Sequence, residues 1–368
     1  MKYKVSVIIP TYNSQDYLNT TVDSVINQSI GFENIELIII DDFSTDNTQK
    51  IIDEYVSKYD NIKTYSLSKK TGTPGAARNL GIKNSNSEYL MFLDHDDCYK
   101  KEAVEKLYLK IKNNNADVVI GKFKTFGDGV AISDSWITKE TTLNSIDENT
   151  LFLSIDNIWR MIFPKEFIIN NDITFPEGVF AEDLAFMVDS FINAKKIIFI
   201  NEIIYNFRLR SRNVTSTSLS KGYHYLNGLI EGYDFVVSVL RKNKKCDFYD
   251  KIFNQHLSTW TSDIVLSDTI SIEDKKKILE KAEPLFKSIK NINPYPENEE
   301  NRAMMENIKK NGVSSIFSNI EKNKYLKQLS AVENELKIKN NEITYLKTTK
   351  GWFKYKINNI ISRLKRNI

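Results

Sequence analysis

Val5-Ser6-Val7-Ile8-Ile9-Pro10-Thr11-Tyr12-Asn13 opens the chain with a β-branched run that ends in a turn. Three more strand-like runs follow at Ile35–Ile40, Ile62–Leu67 and Tyr89–Leu93. None alternates apolar with polar at period two, so each reads as a strand buried on both faces. Tyr17, Leu18, Val22, Val25 and Ile26 recur at helical spacing after the first run, and Asn47–Tyr59 and Gly75–Asn84 read as helices between the others. Strand–helix alternation predicts an α/β fold on a mostly parallel, Rossmann-like sheet with right-handed crossovers. Asp117–Gly121 is a fifth expected strand.

Beyond that core the pattern loosens. Residues 122–150 are polar, contain Gly127 and Gly129, and read as a mobile connection. Residues 151–220 mix a helix at Leu184–Ala194 with strands at Lys196–Ile200 and Ile203–Arg208, and 221–290 look mostly helical. Asn291–Glu300, with Pro294 and Pro296, reads as a linker. The expected division is a catalytic region over 1–220, a helical C-terminal extension over 221–312 and a last helix over 313–368. In that last part Tyr325, Leu329, Val332, Leu336, Ile343 and Leu346 fall on a seven-residue seam, interrupted by Lys339. The seam either pairs chains into a homo-oligomer or packs on its own domain.

The 368 residues are 41% hydrophobic and 27% charged, enough apolar content for a real core and a length that suits about two units. Lys+Arg 51 against Asp+Glu 48 leaves a net charge of only +3, so no nucleic-acid partner is expected. Two cysteines, Cys98 and Cys246, exclude a disulfide framework and a four-cysteine zinc site and fit a reducing compartment. The first strand begins too close to Met1 to leave room for a signal peptide, and no apolar run approaches the roughly 20 residues of a membrane span. A cytoplasmic protein is expected.

The chemistry gathers at strand ends. Tyr12 follows the first strand, Asp41-Asp42 the second, and Asp94-His95-Asp96-Asp97 the fourth. The carboxyl ends of parallel strands face one crevice, so Tyr12, Asp42, Asp94 and Asp96 should converge there. No Gly-x-Gly-x-x-Gly follows the first strand and no P-loop motif occurs. Crowded carboxylates call for a cation, and Mg²⁺ or Mn²⁺ held by Asp94 and Asp96 together with substrate phosphates is the natural one. Asp-x-Asp is also ordinary turn chemistry; its place at a buried strand end favours the metal. The small-residue loop Thr71–Gly75 opens a helix carrying Arg78, a fixed cation for phosphate or base, or else a surface arginine.

Val5–Asn13, Ile40-Asp41-Asp42-Phe43-Ser44-Thr45-Asp46, Gly75-Ala76-Ala77-Arg78-Asn79-Leu80-Gly81 and Phe92–Asp97 stand in that order. Together they resemble family 2 glycosyltransferases of the GT-A fold over about residues 3–215. The resemblance implies an inverting transfer of a sugar from a nucleotide diphosphate. It implies nucleotide contacts at Pro10, Tyr12, Asp42, Arg78 and Asp94, with Asp94 and Asp96 at the metal. It is most similar to bacterial enzymes that decorate teichoic acids or build capsular polysaccharides, which implies a UDP-sugar donor and a glycan, teichoic acid or lipid-linked acceptor.

An inverting transfer needs a carboxylate to take the acceptor hydroxyl's proton. Glu182-Asp183 opens an apolar helix, where acidic residues also serve simply as caps. The resemblance makes Asp183 the base, with Glu182 orienting the acceptor. Tyr205–Arg210 resembles a segment in which Arg208 or Arg210 meets diphosphate or an anionic acceptor, although Phe207 and Asn213 depart from that pattern. His224 is a further metal-ligand candidate, and Asn213-Val214-Thr215 matches a glycosylation signal without meaning in a cytoplasmic chain. The alternatives are a nucleotidyltransferase acting on sugar phosphates and a non-catalytic scaffold. Finally, Lys347–Ile368 carries seven Lys/Arg residues and no Asp or Glu, with an apolar face and Trp352. That pattern reads as a helix lying at the inner face of the membrane, or as one packed on the domain.

Overall fold

The computed structural model describes residues 2–127, 138–148, 157–210, 222–267, 269–293 and 299–317, together with 354, 356 and 358. The parallel half of the sheet is built from β1 (Tyr3–Thr11), β2 (Ile35–Asp41), β3 (Ile62–Ser66) and β4 (Ser87–Phe92). Helices α1 (Leu18–Ile26), α2 (Thr48–Val56) and α3 (Gly75–Asn84) cross over between them. Every residue from Val5 to Thr11 is buried, as is all of β2. In β1, Val5, Val7 and Ile9 pack with Leu18, Val22 and Val25 of α1 on one face, while Ser6, Ile8 and Pro10 are buried toward the other. The same expectation fails for β3, which lies at the edge of the sheet with only Ile62 buried.

Beyond β4 the sheet becomes mixed. β5 (Cys98–Tyr99) and α4 (Ala103–Asn114) lead into β6 (Val118–Gly127), followed by β7 (Thr141–Leu143), β8 (Met161–Pro164), α5 (Lys165–Asn170), α6 (Glu182–Asn193) and β9 (Ile197–Leu209). The order is β3-β2-β1-β4-β8-β6-β9-β5, with β7 on β9. β8 lies antiparallel between β4 and β6, while β6 and β9 are parallel. Two expectations are corrected here. The fifth strand does not stop at Gly121: residues 122–127 continue β6, and Thr141–Leu143 form β7 on β9, so this stretch is in part sheet rather than a mobile connection. The two short strands expected at 196–208 are one strand, β9, which runs through the exposed Asn201-Glu202.

At the end of the sheet away from the crevice, Glu36 of β2 is buried in a polar network. Its carboxylate accepts from Ser6 Oγ (2.6 Å), the Asn86 backbone N–H (2.7 Å) and Asn86 Nδ2 (3.1 Å), and Ser87 Oγ donates to Ser6 Oγ (2.7 Å). The network ties β1, β2 and the start of β4 together with no cation among its members.

Residues after β9 are helical: α7 (Tyr223–Lys242), α8 (Tyr249–Leu266), α9 (Ile272–Ser288) and α10 (Glu299–Asn311). Trp260 of α8 lies near Tyr233 of α7 and Phe286 of α9, and its indole N–H donates to the Leu226 carbonyl at 2.9 Å. Ser271 caps α9 by accepting the Asp274 N–H at 3.1 Å. The chain forms two compact units, 1–305 and 306–368. Asn213–Thr215, the seam at 325–346 and nearly all of the basic tail lie outside the described residues. Among the described residues no helix is long and apolar enough to cross a membrane.

Candidate active site

The register of the parallel half sets one wall of the crevice. Thr11 stands opposite Asp41, and Ile8 opposite Phe92, so β1, β2 and β4 end along one edge. Pro10 is the penultimate residue of β1, and Tyr12, Asp42 and Asp94 lie just beyond the strand ends. Asp42 is buried, and its N–H donates to the Thr11 carbonyl at 2.9 Å. Its carboxylate accepts the backbone N–H groups of Thr71 (2.8 Å) and Gly72 (2.9 Å) and the Thr71 hydroxyl (3.1 Å). One carboxylate thus fixes the small-residue loop that precedes α3. Lys70, just before that loop, donates to the Tyr12 hydroxyl at 2.6 Å with its ammonium over the ring.

Arg78 ties this wall to the opposite one. It lies in the first turn of α3 and is almost fully buried, 1% exposed. One terminal nitrogen donates to Asp94 Oδ1 at 2.9 Å; the other pairs with Glu182 Oε1 at 3.0 Å and with Asp183 Oδ1. Its Cζ stands 5.3 Å from the centre of the Phe175 ring. The guanidinium therefore serves as the shared counter-ion of three carboxylates from two distant segments. Burial alone would lower the Arg78 pKa, but Asp183, Asp94 and Glu182 outweigh it and raise it. Burial pushes the Glu182 carboxyl up, against the pull of Arg78. α3 approaches the 175–176 segment closely, since a methyl group on Gly75 would overlap the Pro176 carbonyl.

Ala181 is the N-cap of α6, in the left-handed region at φ 60°, and offers no side-chain cap. The carboxylates of Glu182 and Asp183 pair with Arg78 while standing in the first turn, where negative charge is favoured.

The third cluster joins the fourth strand end to β9. Asp96 accepts from Arg210 Nε at 2.7 Å and also pairs with Arg210 Nη2. Arg208 Nε donates to the Asp96 carbonyl at 2.6 Å, and Arg210 Nη2 lies 3.3 Å from His95 Nε2. Both guanidinium groups flank the Tyr17 ring. Asp97 is buried, accepting the Tyr205 hydroxyl (2.8 Å) and the Arg208 N–H (2.6 Å). Burial, with Asp96 and Asp94 nearby, holds the Asp97 carboxyl well above the usual range. His224 stands edge-on to Phe180, ring centroids 5.5 Å apart.

The structure thus brings Arg78, Asp94, Glu182 and Asp183 into one cluster, Asp96 with Arg208 and Arg210 into a second, and Asp42 with Tyr12 along one strand edge. Sequence reasoning missed Lys70, and missed Asp97 with Tyr205. A signal for Asp97 existed, since it is the last member of the Asp94-His95-Asp96-Asp97 run. Nothing local linked Arg78 to Glu182.

Among the described residues, no three His, Cys, Asp or Glu side chains gather as a metal-binding group. The ion pairs engage Asp94 through Oδ1 and Asp96 through Oδ2. Two carboxylates with a further oxygen each are hard ligands that suit Mg²⁺ or Mn²⁺ only when substrate phosphates and water complete the shell. The residues fit a metal that arrives with substrate, and not a cage made by the protein alone.

The profile of glycosyl transferase family 2 matches residues 6–163. The chain is 33% identical over 249 residues to poly(ribitol-phosphate) beta-N-acetylglucosaminyltransferase TarP of Staphylococcus aureus, covering 66% of this chain and 75% of that protein. The chain belongs to glycosyl transferase family 2. Within the family it is 37% identical over 199 residues to the poly(ribitol-phosphate) beta-glucosyltransferase of Bacillus spizizenii, covering 53% of this chain but only 30% of that relative's length. The crystal structure of S. aureus TarS 1-349 in complex with UDP superposes with a TM-score of 0.64 at 23% identity, covering 78% of this chain and 81% of the other. The sheet and its helices are those of the GT-A fold expected of family 2, with the mixed strands β8, β6 and β9 beside the parallel half.

Proposed function

We propose that the chain is an inverting glycosyltransferase that moves a sugar from a UDP-sugar to a hydroxyl of a polyol-phosphate or other cell-envelope glycan acceptor. The observation that carries this reading is Arg78, buried between Asp94 at the end of β4 and Glu182-Asp183 at the start of α6. It joins the strand edge that suits a nucleotide to a carboxylate pair that suits an acceptor. The names of the relatives TarP and the poly(ribitol-phosphate) beta-glucosyltransferase support the acceptor class, and the UDP bound to TarS supports the donor.

In this reading Pro10, Tyr12, Asp42 and Asp94 line the nucleotide site, while Arg78, which the sequence also offered as a nucleotide contact, is buried against Asp94, Glu182 and Asp183. Asp183 takes the proton of the acceptor hydroxyl as that oxygen attacks C1; the bond from C1 to the diphosphate oxygen breaks, and nucleoside diphosphate leaves from the opposite face. Glu182 orients the acceptor, and Arg78 fixes both carboxylates relative to Asp94. Arg208 and Arg210 offer positive charge to the diphosphate or to an anionic acceptor. Mn²⁺ or Mg²⁺ on Asp94 and Asp96 would supply charge neutralisation for the leaving group. The division into 1–220, 221–312 and 313–368 belongs to the same reading, as do pairing of chains through the 325–346 seam and peripheral membrane contact through the basic tail.

The test is to incubate the chain with Mn²⁺, UDP-sugars and poly(ribitol phosphate). Release of UDP with labelling of the polymer is expected. With UTP and a sugar 1-phosphate supplied in place of those substrates, release of pyrophosphate would instead assign a nucleotidyltransferase, and no product from either mixture would leave a scaffold. For the tail, each basic residue near an anionic surface contributes about 1 kcal/mol. Deleting residues 347–368 should abolish salt-sensitive binding to anionic vesicles and spare transfer to a soluble acceptor.

A further inference from the structure

The helical extension after β9 meets the acceptor-side carboxylates at one place. α6 and α7 run side by side in the same direction. At their C-terminal ends Asp189 accepts from Asn243 Nδ2 at 2.8 Å and Lys242 Nζ at 3.3 Å. Near the N-terminus of α6 the approach is far closer. A methyl group on Gly232 of α7 would overlap the Phe180 carbonyl oxygen, 2.9 Å from its carbon and 3.0 Å from Ala181 Cβ. One turn earlier, a methyl group on Gly228 would strike the Phe180 ring, 2.9 Å from Cε2. That ring also lies edge-on to His224 and Tyr225 at the start of α7.

Glycine inside a helix costs about 1 kcal/mol relative to alanine, so two of them one turn apart call for a reason. Here they let the Phe180–Ala181 backbone sit directly on the helix. Ala181 itself is strained at φ 60°, and such a residue persists only where its surroundings over-determine it. The next two residues are Glu182 and Asp183. We infer that Gly228 and Gly232 are positioning residues for the transfer reaction: α7 clamps Phe180 and Ala181, and the clamp aims Glu182 and Asp183 at Arg78. The residues after 220 are then part of the apparatus that sets the acceptor carboxylates. This inference rests on the proposed role of Asp183 for its kinetic consequence, but not for its geometry.

The test uses the full chain. Gly232→Ala meets backbone, which unlike a side chain cannot swing aside, so the Phe180–Ala181 segment must shift; kcat should fall roughly 10- to 100-fold, as a misplacement near 1 Å does, with donor KM within about twofold. Gly228→Ala meets a ring that trimming removes, so its smaller kcat loss should be rescued by Phe180→Leu, while the same second substitution does not rescue Gly232→Ala. A crystal structure of each single variant should show the Arg78–Asp183 pair broken or lengthened. Wild-type kcat for both variants at temperatures well below their Tm, with the pair intact, would overturn the inference. An inactive wild-type chain would refute the transferase reading alone, because the crystal structures still decide whether α7 sets the carboxylates.

Discussion

On one side of the crevice Tyr12, Asp42 and Asp94 each follow a parallel strand by one or two residues. On the other, Glu182 and Asp183 follow no strand; they stand after a left-handed alanine, on a segment pressed between α3 and α7. The first wall is fixed by backbone ladders that run the length of the sheet. The second is fixed by side-chain and helix packing, and the buried guanidinium of Arg78 spans the gap. A site assembled this way should bind its donor through a rigid half and lose catalysis through an adjustable half. Substitutions on the two walls ought to separate binding from turnover.

The largest separation should come from Asp183→Asn, expected to lower kcat about 10²–10⁴-fold with donor affinity within twofold, read by UDP release and by calorimetric titration. Unchanged turnover would make Asp183 a structural acid and leave the second wall without a base. Next is Arg78→Met. Removing the cation that pairs with Asp94, Glu182 and Asp183 breaks a buried ion-pair cluster, a loss of about 3–5 kcal/mol in urea unfolding. A loss below about 1 kcal/mol would show that the walls do not depend on the bridge.

The sequence reveals the first wall far better than the second. Ile35–Ile40 declares a strand buried on both faces because five of its six residues are apolar, Glu36 excepted, and its acid end follows directly. β8 is four residues long and lies antiparallel between β4 and β6, an insertion that no local pattern announces. β9 reads as two strands because its middle, Asn201-Glu202, is exposed and polar, while the pairing that makes it one strand is with β6, far away in the chain. Likewise Arg78 and Asp183 are legible separately, as a helix-borne cation and a helix-opening acid. Their pairing depends on tertiary packing of the 175–182 segment, which is not a property of either motif.

Two smaller effects sharpen the picture of the first wall. Asp42→Asn keeps the shape but exchanges one acceptor oxygen for a donor facing the Thr71 and Gly72 N–H groups. Donor affinity should fall about tenfold, or 1.4 kcal/mol, by titration with UDP, with kcat at saturating donor little changed. Equal affinity would show that the 71–73 loop does not shape the nucleotide site. The smallest effect concerns Asp97. Because burial and the neighbouring Asp96 and Asp94 raise its pKa, the folded chain keeps a proton that the unfolded chain has lost. Its contribution to stability is complete below the ordinary aspartate pKa of about 3.9 and is lost as pH rises through the raised value. Asp97→Asn should remove that decline, at most about 1.4 kcal/mol per pH unit, in urea unfolding from about pH 4 upward. The same decline in the variant would mean that Asp97 is already ionised in the folded chain.

The Glu36 network makes β2 a spacer of set length. Glu36 is fastened to Ser6 and Asn86 at one end of the strand, and Asp42 grips Thr71 and Gly72 at the other. With both ends fastened, the strand cannot slide, and the roughly 20 Å between them is fixed by residue count at about 3.3 Å per residue. One residue inserted between positions 37 and 41 would turn every later side chain of β2 to the opposite face. Two would restore the face and overshoot the loop by nearly 7 Å. The region can therefore vary in which apolar residues fill it, but not in how many.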